Sequence, residues 1–188
     1  MKSRALIALS VLVLTVGVVV HIWDRVHTVY PTPETESAFL KNYTPANVLN
    51  RFKDERESLS FESGRTAAAG HDSVTHTATF EGYFALRSEE WMLLMDTLRD
   101  DVAAQLVGSG ARILDQGGDG RAGFHFDYKL GKTVGSVTIS SLELTSPADR
   151  RIPLPNGAVN AHASIEVAEK WFPKEPGIIQ VSVNDSTQ

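Results

Sequence analysis

The residues with most chemistry to offer are histidines and acids, because the chain has no cysteine and so neither a thiol nucleophile nor a thiolate metal ligand. His125 and Asp127 stand two positions apart. On a strand that spacing puts them on one face, where a carboxylate can orient an imidazole for proton transfer. The polar side of a solvated sheet carries the same residue types, so the pair is weighed against that plainer reading. His76 sits in an alternating run with Val74, Ala78 and Phe80. There a half-buried imidazole with one hydrogen-bond partner is the ordinary outcome. With His27, His71 and His162, these histidines scatter over several segments. No two have the i,i+4 spacing that would turn a pair of imidazoles to one side of a helix.

Short motifs resolve into structural features. Gly131-Lys132-Thr133 has the tail of a phosphate-binding loop, but Phe126 stands where its first glycine belongs, and the context is a hairpin rather than a strand leading into a helix. The run from Asp115 to Gly120 has the acids of a calcium loop without the acidic ligand at position twelve, and Asp-Gly is a common turn. Gly108-Ser109-Gly110 follows a helix, unlike a nucleophile elbow, and reads as a helix stop. Asp96, Asp100 and Asp101 read as a solvated acidic face, and Asn42-Tyr43-Thr44 matches a glycosylation sequon. No catalytic, cofactor-binding or metal site follows from the sequence. Leu93, Val107 and the pair Trp171-Phe172 are the apolar residues best placed for a protein interface.

The elements that position these residues follow from periodicity. Alternation marks strands at 74–86, 111–115, 121–130, 134–144, 161–167 and 178–183. In 134–144 the apolar face changes between Ser140 and Ser141, which predicts a β-bulge. Trp91, Leu94, Met95, Leu98, Val102 and Leu106 recur at helical spacing between Ser88 and Gly108. A shorter helix starts at Thr44-Pro45 with Val48, Leu49 and Phe52 on one face. The glycine and alanine stretch 63–72 reads as a loop, the proline-rich 146–160 as a loop or edge crossing, and 168–172 as one helical turn. Six strands with two helices, the strands joined mostly as hairpins, predict an α+β domain whose mostly antiparallel sheet carries the helices on one face.

Ahead of this domain lies an apolar run, residues 5–23, of membrane-spanning length. A cleaved signal peptide is the competing reading, but no small-residue cleavage pattern follows the run, and without cysteine a lipoprotein is excluded. The expected organisation is a cytoplasmic tail at 1–4, a transmembrane signal-anchor at 5–23, a tether at 24–42 that two prolines keep from continuing the helix, and an extracytoplasmic domain at 43–188. Lys2 and Arg4, against Arg25 beside Asp24, favour the N-terminus inside. His21 is the one titratable group in the run and reads as an interfacial residue. Residues after Trp23 hold all 23 acidic side chains and all but two of the 18 basic ones, an acidic surface that argues against nucleic acid as a partner. The function expected is a non-enzymatic binding or scaffold module of the cell envelope, with the membrane and an envelope protein as partners. The alternative is a small extracytoplasmic hydrolase using His125 with Asp127, or His76. The two differ in whether these side chains converge in one concave site.

Overall fold

A computed structural model describes residues 2–52, 61–119, 123–143 and 159–174. In chain order they form α1 (Lys2–His27), β1 (Thr28–Val29), α2 (Ala38–Asn42), α3 (Ala46–Arg51), β2 (Phe61–His71), β3 (Ser73–Leu86), α4 (Ser88–Gly108), β4 (Arg112–Asp119), β5 (Gly123–Leu130), β6 (Thr133–Glu143) and β7 (Val159–Trp171). The seven strands make one antiparallel sheet in the order β1, β2, β3, β7, β6, β5, β4. The expected α+β class and antiparallel sheet are therefore observed, with β7 inserted between β3 and β6.

The core lies on one face of the sheet. Phe80, Phe84 and Leu86 of β3, Phe126 and Tyr128 of β5, Val137 and Ile139 of β6 and Ile165 and Val167 of β7 are buried against Leu94, Met95, Leu98, Val102 and Leu106 of α4. These are the faces that the periods of two and 3.6 predict. The chain enters α4 at Arg87, whose backbone N–H is bound by the Glu90 carboxylate at 2.6 Å, one residue before the expected cap at Ser88. It leaves where Ser109 and left-handed Gly110 return their N–H groups to the last carbonyls.

Several expectations are corrected. The supposed loop 63–72 is strand β2, paired residue for residue with β3 from Phe61↔Gly82 to Gly70↔Ser73 and turned at Asp72, whose φ is 59°. Its small exposed side chains give no apolar alternation, so cross-strand hydrogen bonds rather than burial define it. The helical turn expected at 168–172 is instead the end of β7, which has a strand on each side and whose backbone groups are claimed by both ladders. No bulge occurs at Ser140 and Ser141. The register with β7 runs unbroken through Leu142↔His162, and Leu142 is 63 % exposed on the outer face. The register shift lies instead in β4, between Ile113 and Asp115, and β4 runs on through Gly117 and Gly118, where a turn was expected. The expected strand 178–183 and residues 146–158 of the expected loop 146–160 lie outside the described residues, while Val159 and Asn160, expected in that loop, begin β7.

The stretch expected as a tether is built into the domain. Thr28 and Val29 pair with His71 and Gly70, α2 follows, and Phe39, Leu40 and Tyr43 are buried. Among the described residues no helix is long and apolar enough to cross a membrane. The side chains of α1 are described only from Leu12 onward, which leaves out the first part of the run 5–23.

Candidate functional site

The sheet register brings four residues into one row across the core face. Cα partners run His76↔Glu169, Glu169↔Gly135 and Gly135↔Tyr128, on β3, β7, β6 and β5. Gly135 is what makes the row work. A Cβ there would lie 2.7 Å from the Tyr128 Cζ and hydroxyl and 3.0 Å from the Ala168 carbonyl, so only glycine lets the Tyr128 ring lie flat across β6. The Tyr128 hydroxyl thereby reaches Glu169 and donates to Oε1.

The segment before and within α2 closes over this row. Ser37 caps α2 by accepting the Leu40 N–H at 2.9 Å, and donates its own hydroxyl to Glu169 Oε1 at 2.5 Å. Thr35 turns on itself, donating to the Thr32 carbonyl at 2.8 Å. That uses its one hydroxyl hydrogen. His76 Nε2, 2.9 Å away, is therefore the donor in their hydrogen bond, and the neutral tautomer carries its proton there.

Glu169 is 1 % exposed, and its Oε2 has no hydrogen-bond partner among the described residues. Burial holds its carboxyl above the ordinary carboxylate range, against the opposing pull of the Ser37 and Tyr128 hydrogen bonds and with a smaller push from Glu36. Burial first, and then the Glu169 charge, raises the Tyr128 phenol. Burial lowers the His76 imidazole, while Glu36 pulls it up and Lys41 pushes it down. What the arrangement does is bury one carboxyl, its proton affinity raised, as a clasp between the chain leaving α1 and the sheet. Thr35, Ser37, His76, Tyr128 and Glu169 are all buried.

The residues singled out in the sequence are distributed differently. His125 and Asp127 do pair, Nε2 to Oδ1 at 3.0 Å, with Thr138 Oγ1 3.5 Å from Nδ1. They lie on the outer face of β5, opposite to His76, so the structure does not bring the three into one concave site. His162 is also on that outer face, with Nε2 3.7 Å from the Glu81 carboxylate. His27 and His71 stack with ring centres 5.4 Å apart, and Trp23 lies 4.6 and 4.9 Å from them. Among the described residues, no three acids or histidines are grouped to hold a metal ion. Asp96 and Asp100 pair with Arg99 at 3.0 and 2.8 Å, but Asp101, expected on the solvated side, is buried and bonded to Gln105 at 2.8 Å. Gly131, with φ of 57°, turns β5 into β6 as a hairpin. Leu93 and Val107 are exposed, whereas Trp171 and Phe172 are half-buried, with Lys132 and Lys170 over their rings.

Sequence reasoning missed Glu169, because 168–172 read as a helical turn. The signal was present. Ala161, Ala163, Ile165 and Val167 all point to the core, and carrying that alternation one step further puts Glu169 inward. No family model, curated protein or solved structure matches the chain.

Proposed function

We propose that this chain is a membrane-anchored extracytoplasmic module of the cell envelope that binds or scaffolds another envelope protein and does no chemistry of its own. The observation that carries the reading is α1. Leu12, Val13, Leu14, Val16, Val18, Val19, Val20, Ile22 and Trp23 are each more than half exposed, around every side of the helix. In water such a surface is an open liability at about 25 cal/mol per Å² of apolar area, and a bilayer relieves it. The end of the helix is fastened to the domain: the Asp72 N–H donates to the His27 carbonyl at 3.0 Å, and Trp23 and His27 pack on His71. Such a domain stands at the membrane surface with its anchor, positioned for a neighbour rather than swung on a slack chain. Lys2 and Arg4 before the run favour an internal N-terminus, and hence an outer domain.

The hydrolase alternative keeps the His125–Asp127 contact, but that pair sits on a sheet face with His76 on the other side. The test is membrane extraction with alkaline carbonate of cells carrying the full chain, together with alkaline phosphatase fused after Gln188. Retention in the pellet with active phosphatase is expected. Release into the wash rejects the anchor, and an inactive phosphatase beside an active cytoplasmic reporter rejects the orientation. A His125→Gln chain that folds but fails to complement a deletion strain decides for the hydrolase.

A further inference from the structure

β4 is the last strand of the sheet, and its outer edge pairs with no other strand among the described residues. An open edge is a template for another extended chain, and natural proteins usually block it. Here the edge is unusually approachable. Gln116, Gly117 and Gly118 are exposed, and a Cβ on Gly117 would meet nothing within 4 Å. Gly118 is glycine for an internal reason, since a Cβ there would lie 2.1 Å from the Gly123 carbonyl oxygen.

Beside this edge, between β4 and α4, lies an open cavity of about 390 Å³. That is within the range of about 300–1,000 Å³ typical of ligand sites. Its floor is Phe124 and Phe126, its helix wall Ala103 and Arg99, and its rim Gln116 to Gly118. The Arg99 guanidinium lies 5.0 Å over the Phe124 ring and is paired with both Asp96 and Asp100. On the outer face, Asp115 is the cross-strand partner of Asp127, a like-charge pair that destabilises the sheet. Asp127 has His125 as its partner, and Asp115 has no ion-pair partner among the described residues. A cation brought to this edge would relieve that repulsion.

We infer that the outer edge of β4 receives an extended segment of a partner protein, which pairs backbone to backbone, seats an apolar side chain over Phe124 and Phe126, and sets a lysine or arginine against Asp115. The two contacts lie on opposite faces of the sheet. Successive residues of a strand point to opposite faces, so the segment alternates apolar and basic residues. On the other side of the sheet, β2 pairs with no strand except β3 along 61–69 among the described residues, but its Arg65 is engaged with Glu36 at 2.9 Å, which makes it the internal control. The inference rests on the scaffold reading and names the kind of partner. The two fail separately, since a chain that resists carbonate extraction can still refuse the peptide.

The experiment uses the full chain in nanodiscs of neutral lipid with two probes, acetyl-KVKFKV-amide and its charge-swapped counterpart acetyl-EVEFEV-amide. Kd is measured by titration and the contact by amide hydrogen exchange. The basic peptide is expected to bind at least about tenfold more tightly than the acidic one, and to slow exchange in 116–119 but not in 61–69. Asp115→Lys should reverse the preference between the peptides, and Ala103→Trp, which fills the cavity from the helix side, should weaken binding of the basic peptide with the melting temperature retained. If Ala103→Trp disturbs the fold, the exposed Asp115→Lys carries the test alone. Equal binding of the two peptides, or protection of 61–69 instead, overturns the proposal. So does binding that appears only after residues 175–188 are removed, which makes the chain's own tail the occupant, and protection of 116–119 that rises with protein concentration in the absence of peptide, which makes it a second copy.

Discussion

At Glu169 the physical chemistry of one side chain sets a pH dependence. Its folded pKa is raised by burial, so the stability contributed by the neutral acid is fully present below the pKa of an ordinary glutamate and is lost as the pH rises through the folded value. His76 works the other way. Its folded pKa is lowered, so stability is lost as the pH falls from that of an ordinary imidazole toward the folded value. Glu169→Gln removes the first effect while keeping an acceptor for the Ser37 and Tyr128 hydroxyls. The variant is expected to melt above the parent at about pH 8, with the difference shrinking toward about pH 4.5, and then to show only the histidine limb. Melting curves at the two pH values check this; an equal difference at both shows that Glu169 does not titrate in that range.

Among the elements, β5 and α2 show how differently two segments announce themselves. Gly123–Leu130 follows strict alternation, and its inward residues are the buried Phe124, Phe126 and Tyr128. Phe126→Ala is expected to cost about 3–5 kcal/mol through the cavity it leaves, read as a lower denaturant midpoint at unchanged slope. An unchanged midpoint would contradict the face assignment. α2 has five residues, too few for any helical period to show, and two nearby prolines made its surroundings look like a tether. Burial of Phe39, Leu40 and Tyr43, the Ser37 cap, and the Gln105 amide on the Thr44 carbonyl at 2.9 Å give the segment its structure. Tryptic cleavage after the exposed Lys41 should therefore be slow and follow unfolding of the domain. Rapid cutting under native conditions would restore the tether.

For the molecule as a whole, the sheet is a platform closed by helices on one face and fastened at β1 to the end of α1, while β4, at the far side, has no further strand on its outer edge among the described residues. This separation fits the proposed scaffold: the buried acid clasps the part next to α1, and the β4 edge lies at the opposite end of the sheet. What the sequence determined by itself is whatever depends on near neighbours along the chain: the apolar run at 5–23, the limits and stripe of α4, the inward faces of β3 and β5, and the pairing of His125 with Asp127. All of these follow from a period of two or 3.6, which needs no knowledge of distant partners. The tertiary structure alone decided the rest. β2 is a strand because β3 pairs with it, and β7 extends through Glu169 because it has a ladder on each side. Thr35 and His76 are 41 residues apart, and Ser37 and Glu169 are 132 apart. Contacts over such separations leave no local period in the sequence, so the clasp exists only once the sheet has closed its register.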